Sequence, residues 1–183
     1  MISLLFPVLM AVAAPLALPT DPVLRTLVQG EAARAGGDHA ALLDTAKGLT
    51  ALGASPAEGQ DDLAALWMKE ARAGGALALS PAPLFRGRAL GPAYRRGMLG
   101  AGSRVTMRQL FLAGQRARIS VAPANGAGRL SMRVQDGEGG TLCAKQIGGP
   151  QADCAWLPLF TDRFNIVIEN SGAMPAAFYL IVR

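Results

Sequence analysis

Short runs of alternating apolar and polar residues recur through the second half of the chain, and this feature constrains the fold most strongly. In LSMRVQ, the residues Leu130, Met132 and Val134 fall on one side of an extended strand, and polar residues fall on the other. The final run AFYLIV is apolar on both sides, as expected of a strand in the centre of a covered sheet. Turn-forming residues separate about seven or eight such runs, a pattern typical of an antiparallel, jelly-roll-like β-sandwich over residues 93–183.

Residues 20–75 show helical periodicity instead, so the predicted fold class is α+β, with about three short helices before the sandwich. Asp21, followed by Pro22, is expected to cap the first helix, and Asp38 the second. A third helix is predicted to begin at Ser55, because SPAE has the pattern of a capping box.

The pentapeptide ARAGG occurs at Ala33–Gly37 and again, 38 residues later, at Ala71–Gly75. Each copy is expected to end a helix, because glycine tolerates the left-handed conformation that closes one. Residues 76–92 contain three prolines and are interpreted as a linker.

An interval of this size suits a helix–turn–helix repeat. With AALLDTAKGLTALGA followed by DLAALWMKEARAGG, the segment Ala40–Gly75 resembles the tetratricopeptide-like family, particularly its bacterial SEL-type variant. That resemblance implies a scaffold that holds partners. Only one repeat and a fragment are present, whereas such arrays need about three, so we favour a plain three-helix cap packed on something else.

Five segments of the sandwich half form an ordered pattern of strands and turns: Leu99 to Gly102, Phe111 to Val121, Leu130 to Gly137, Thr161 to Asn170 and Tyr179 to Val182. In these segments the chain looks like the bacterial pre-peptidase C-terminal domain and its jelly-roll relatives. This resemblance implies an exported, non-catalytic accessory module of the kind often attached to enzymes. Members often carry more aspartates on the loops after their strands, and in some members these aspartates hold calcium. Here Asp136 and Glu138 are the only acids in their loop, so we expect no tight calcium site.

The chain begins with an apolar run from Ile2 to Ala14, in which Ala11–Ala13 satisfies the small-x-small rule for signal cleavage. A signal peptide is therefore predicted over residues 1–13. Its removal would leave a periplasmic or secreted protein with no stable membrane span. The run lacks a preceding Lys or Arg, which leaves open a retained anchor or a start codon placed too late.

The two cysteines, Cys143 and Cys154, predict one disulfide in an exported chain. Two free buried thiols are the alternative if the chain is not exported. No spacing of Cys and His indicates a metal site, and neither metal nor cofactor is expected.

No pattern of residues indicates catalysis. The only histidine, His39, lies beside a predicted helix cap without a nucleophile motif, and Asp61 and Asp62 suit the first turn of a helix. The glycine-rich segments lack the Lys-Ser/Thr ending of a phosphate-binding loop. The sequence therefore predicts a protein that is not an enzyme.

Charge is distributed unevenly along the chain. Residues 1–80 carry five Lys and Arg against eight Asp and Glu, whereas residues 81–183 carry thirteen against five. Arginines occupy the outward positions of the predicted strands, where their planar forks suit carboxylates and phosphates. A face of this kind predicts contact with an anionic envelope polymer or an acidic protein, although a plain solvated face is the simpler interpretation. Nucleic acid is not expected, because no aromatic residues alternate with the arginines. The arginines that we assign to these outward positions are Arg104, Arg108, Arg116, Arg118, Arg129 and Arg133.

Two further interpretations remain. Trp67 and Trp156 offer rings for stacking on sugars, which defines an alternative function: a carbohydrate-binding accessory module that uses aromatics at the sandwich edge. Both tryptophans also fit ordinary packing positions. The other interpretation is a purely structural role, in which the helices cover one open sheet of the sandwich.

Overall fold

Three helices precede two β-sheets in the computed structural model, which describes residues 17–76, 91–124 and 129–183. The predicted signal peptide, residues 1–13, and most of the predicted linker, residues 77–90, lie outside the described residues. The elements are α1 (Pro22–Gly36), α2 (His39–Ala51), β1 (Ser55–Pro56), α3 (Leu63–Ala73), β2 (Ala93–Leu99), β3 (Arg104–Phe111), β4 (Ala117–Pro123), β5 (Leu130–Gln135), β6 (Thr141–Gln146), β7 (Ala152–Trp156), β8 (Asp162–Asn170) and β9 (Ala176–Val182).

The first two helices begin and end where the sequence predicts. The carboxylate of Asp21 accepts hydrogen bonds from the backbone N–H groups of Val23 and Leu24, and Asp38 caps α2 through the N–H of Ala41. Helix α1 closes at Gly37, whose φ of 68° is in the left-handed region. None of the helices in the described part of the chain is long and apolar enough to cross a membrane.

The predicted third helix start at Ser55 is wrong. Ser55–Pro56 forms the short strand β1, which pairs in parallel with β2. The N–H of Ser55 donates to the carbonyl of Pro92, and the N–H of Ala57 donates to that of Tyr94. This long-range pairing replaces the local capping box. Helix α3 starts later, with Asp62 as its N-cap.

The eight strands from β2 onward, together with β1, form two facing sheets. One has five strands in the order β1-β2-β9-β4-β7, and the other has four in the order β3-β8-β5-β6. All pairs other than β1–β2 are antiparallel. The prediction of an α+β fold with a β-sandwich is therefore confirmed.

The predicted alternation places aliphatic residues between the sheets. Leu130, Met132 and Val134 are all buried there, and so are the corresponding residues of β4 and β8. The predicted disulfide is also confirmed: Cys143 on β6 and Cys154 on β7 are bonded, with 6.1 Å between their Cα atoms. Since β6 and β7 belong to different sheets, this bond fastens the two layers together along one side.

A second apolar core joins the helices to the outer face of the five-stranded sheet. Leu24, Leu27 and Trp67 from the helices are buried together with sheet residues that include Tyr94 and Tyr179. Strand β9 therefore has both faces covered, which explains its continuous apolar sequence. The helices pack against the sheet as a cover, in agreement with the plain three-helix cap that we favoured.

Polar groups at the margin of this second core tie α1 to the sheet. Glu31 accepts hydrogen bonds from the hydroxyl of Tyr179 and from the guanidinium of Arg96, both at 2.8 Å. Asp21 forms an ion pair with Arg183. Burial by itself would raise the pKa of Asp21, but hydrogen bonds from Arg183 and the backbone outweigh it and hold that pKa below its ordinary value.

Candidate binding surface

The outer face of the four-stranded sheet carries three of the six predicted arginines. Arg104 and Arg108 lie on β3, Arg133 lies on β5, and all three are exposed. They point outward because their neighbours along each strand, such as Met107 and Met132, point into the sandwich. From strand spacing and rise, their Cα atoms lie about 12–13 Å from one another.

A fourth exposed arginine, Arg163, belongs to the same face and was missed in the sequence. It lies on β8, opposite Leu110 and diagonally adjacent to Arg108. The signal was present, because Phe164 and Ile166 point inward and therefore place Arg163 outside. We call Arg104, Arg108, Arg133 and Arg163 the Arg face.

The Arg face has little neutralising charge of its own. Among the described residues, none of its four guanidinium groups takes part in a salt bridge or an intramolecular hydrogen bond. The outward positions of the four strands include one carboxylate, Glu169, which lies opposite Arg104 in the register but forms no salt bridge with it within the described residues. The four guanidinium groups are therefore available to an external anion.

Arg118 does not belong to this face. Its strand, β4, lies in the five-stranded sheet and pairs with β7 and β9. Its guanidinium contacts Asp153 at 3.0 Å, and Asp153 also accepts hydrogen bonds from Ser120 and Gln151. Burial by itself would raise the pKa of Asp153, but these hydrogen bonds lower it below its ordinary value. Arg118 is thus committed to a structural ion pair.

Arg116 and Arg129 are not on the Arg face either. Arg116 lies in the connection between β3 and β4, and Arg129 immediately precedes β5. The expectation of a single lattice of six arginines is therefore corrected to a face of four. For Arg118 the physical reason is that β4 joins a different sheet from β3 and β5, and alternation along a strand carries no information about sheet membership. Arg116 and Arg129 lie outside the strands, so strand alternation does not place them.

His39 has a packing role. It begins α2 and its ring lies over Gly74, so closely that a Cβ added to this glycine would fall 2.3 Å from the ring. The Nδ1 atom is buried and has no hydrogen-bond partner within the described residues. Within the described residues, Nδ1 is therefore not hydrogen-bonded to a Ser or Cys nucleophile.

The two tryptophans pack inward. Trp67 is 1% exposed in the core between helices and sheet. Trp156 is half-buried, and its ring centroid lies 4.8 Å from that of Phe111 and 5.3 Å from that of Phe164. The contacts of the Trp156 ring with the two phenylalanines are edge-on and tilted, as in ordinary aromatic packing.

The carboxylate of Asp136 stabilises the turn between β5 and β6. One carboxylate oxygen of Asp136 accepts hydrogen bonds from the backbone N–H groups of Glu138 and Gly140, at 3.1 and 2.6 Å. Within the described ranges, no three Asp, Glu, His or Cys side chains come close enough to form a metal site. The absence of a tight calcium site stays a prediction.

Comparison with known proteins gives resemblance in fold only. No family model and no curated protein matches the chain. Among solved structures, a mitogen from Yersinia pseudotuberculosis is 12% identical, with a TM-score of 0.43, over 50% of this chain and 84% of its own. The pre-peptidase C-terminal domain of a Bacillus anthracis collagenase is 14% identical, with a TM-score of 0.42, over 50% and 88%. A periplasmic inhibitor of g-type lysozyme from Aeromonas hydrophila is 18% identical, with a TM-score of 0.37, over 50% and 83%.

Proposed function

We propose that this protein is an exported, non-enzymatic binding module whose Arg face contacts an anionic polymer of the bacterial envelope. The observation that carries the proposal is the set of four exposed guanidinium groups on one sheet, without ion-pair partners among the described residues. Arginine binds phosphate and carboxylate groups through two parallel hydrogen bonds, so each position can hold one anionic group of a polymer.

The arrangement of the Arg face supports a repeating ligand better than a single small anion. By strand geometry the Cα atoms of neighbouring arginines are about 8–13 Å apart, and those of Arg104 and Arg163, at the two ends of the face, are about 20 Å apart. A single phosphate therefore does not span the face. A chain with an anion on each unit can contact several of them at once, and its affinity then depends on the sum of weak contacts. The rigid sheet holds these positions without a further cost in loop ordering.

Export is supported by the disulfide between Cys143 and Cys154, because such bonds persist in oxidising compartments. A non-enzymatic role is supported by the contact of the half-buried His39 with Gly74 and by the ion pair of the half-buried Asp153 with Arg118, since both side chains are engaged in structural contacts.

Binding to immobilised polyphosphate and poly-L-glutamate, measured by surface plasmon resonance at increasing salt, tests the proposal. We expect saturable binding that weakens with salt, since screening reduces each contact. The double variant Arg104→Gln/Arg133→Gln should weaken it roughly 5- to 30-fold, if each exposed contact contributes up to about 1 kcal/mol. The two polymers separate phosphate from carboxylate recognition.

The matched control is Lys69→Gln/Arg72→Gln, which removes the same charge from the exposed face of α3. It should leave binding close to that of the unmodified protein. Equal losses in both double variants would show a non-specific effect of net charge and would overturn the proposal. So would an absence of binding to either polymer at low salt, which would instead favour an acidic protein as the partner.

The carbohydrate-binding alternative loses its main support because Trp156 packs against Phe111 and Phe164. Quenching of Trp156 fluorescence by neutral glycans would restore it.

A further inference from the structure

The sandwich has one open side, where the edge strand β3 faces β2 without pairing with it. Beyond the two residues that pair with β1, strand β2 forms the edge of its own sheet. The opposite side is closed by the disulfide between β6 and β7. On the open side, a cleft of about 350 Å³ extends between the two sheets. This volume falls at the small end of the range for ligand sites, about 300–1,000 Å³.

Small residues at and just before the start of β2, Ala93 and Gly91, line the cleft on that side. The walls combine apolar side chains with arginine and glutamine side chains, and no Asp or Glu lines the cleft. The apolar side chains on its two sides are Met107, Phe111, Ile166, Leu180 and Val182.

Arg95 is the exception among these inward residues. It stands beside Leu180 on the inner face, since its neighbour Tyr94 points toward the helices. Arg95 is half-buried, and among the described residues its guanidinium has no hydrogen bond or salt bridge. Arginine rarely lies against apolar walls without a partner, because its desolvation is then uncompensated. Three more arginines line the cleft, namely Arg108, Arg116 and Arg183, of which Arg183 is paired with Asp21.

We propose that this cleft binds a single-chain anionic amphiphile, with its carboxylate or phosphate on Arg95 and its hydrocarbon tail between Met107 and Phe111. Charge complementarity selects an anionic head, since the lining contains arginines and no carboxylates. The apolar side chains between the sheets suit a hydrocarbon tail. The cleft adjoins the Arg face, because Arg108 belongs to the Arg face and also lines the cleft. The two proposals are therefore tested through residues that belong to one site only: Arg95 for the cleft, and Arg104 with Arg133 for the Arg face.

Isothermal titration calorimetry with dodecanoate and dodecyl phosphate, below their micelle-forming concentrations, tests this site. The two probes separate the carboxylate from the phosphate as the preferred head. Arg95→Gln should weaken binding roughly ten- to hundredfold, the effect expected from losing a charge-assisted hydrogen bond. Ala93→Leu should also weaken it by filling the cleft. Arg104→Gln is the matched control and should leave this binding unchanged.

Fluorescence locates the tail. Trp156 packs 4.8 Å from Phe111, which lines the cleft, so ω-bromododecanoate should quench Trp156. In the Trp156→Phe variant the remaining Trp67 lies in the other core and should not be quenched.

Three results would overturn the inference: no saturable binding of either anion, equal affinity of Arg95→Gln and the unmodified protein, or equal binding of dodecyltrimethylammonium. The last would indicate apolar partition without recognition of the head. The two proposals fail separately, because Arg104→Gln/Arg133→Gln should lose polymer binding and keep dodecanoate binding.

Discussion

Gly30 and Gly36 lie on the same helix but should respond in opposite ways to an added methyl group. A Cβ at Gly30 would fall 2.2 Å from Cζ3 of Trp67, whereas one at Gly36 would meet nothing within 4 Å. Carbon atoms in contact are normally about 3.5–4.0 Å apart, so the indole must retreat by about 1 Å or more. Trp67 is 1% exposed and has no free space to enter without disturbing its neighbours.

The expected magnitude follows from two opposing contributions. Overpacking a core costs about 1–3 kcal/mol, whereas replacing glycine by alanine inside a helix gains about 0.5–1 kcal/mol. Gly30→Ala should therefore lower the free energy of unfolding by about 1–2 kcal/mol, which lowers Tm by roughly 2–8 °C for a chain of this size. Gly36→Ala should leave Tm unchanged or raise it slightly.

Thermal and urea unfolding followed by circular dichroism measure both variants. In a Trp156→Phe background, fluorescence reports on Trp67 alone and should shift in Gly30→Ala. In a protein that already carries Trp67→Leu, Gly30→Ala should lower the free energy of unfolding by less than it does in the unmodified protein, because the clash with the indole is then absent. If Gly30→Ala is as stable as Gly36→Ala, the close packing of α1 on α3 is refuted.

Two further predictions concern the tyrosines and the disulfide. Burial raises the pKa of Tyr94 to about 12, and burial together with the hydrogen bond to Glu31 raises that of Tyr179 above its ordinary value. These are the only tyrosines, so absorbance at about 295 nm reports on both of them. In the folded protein we expect no ionisation of tyrosine with a midpoint near pH 10, and we expect that midpoint to appear when the chain unfolds in urea. A step of half the full amplitude near pH 10 in the folded protein would contradict the burial of one tyrosine. Their raised pKa values contribute stability that is present below about pH 10 and is lost as pH rises further. Replacing Cys143 and Cys154 by alanine should lower stability by about 3 kcal/mol and Tm by roughly 6–12 °C, as measured by calorimetry. An unchanged Tm would show that the disulfide does not stabilise the folded protein beyond the packing and pairing of the two sheets.

Local signals account for much of the fold. Asp21 and Asp38 were identifiable as caps because a capping carboxylate reaches only two or three residues along the chain. The inward positions of the strands were identifiable because side chains alternate across any extended strand, whatever its partners. The pairing of Cys143 with Cys154 was also predictable, because the chain has no other cysteine.

The candidate site was only partly predictable. Arg104, Arg108 and Arg133 were recognised as outward residues, but Arg118 satisfied the same rule and faces away from them, paired with Asp153. The cleft gave no sequence signal, because it arises where β2 and β3, which belong to different sheets, face each other without pairing.

The sequence by itself determined where most helices start and stop, which side of each strand is apolar and which cysteines can pair. Those properties depend on neighbours within a few residues or on composition. Only the tertiary structure decided that Ser55–Pro56 would be a strand, that Gly30 would accommodate Trp67 and that four arginines would share a face. Each of these depends on contacts between residues far apart in the chain. Such contacts override the local preference of a segment when they bury more apolar side chains, or pair more backbone groups, than the local structure would.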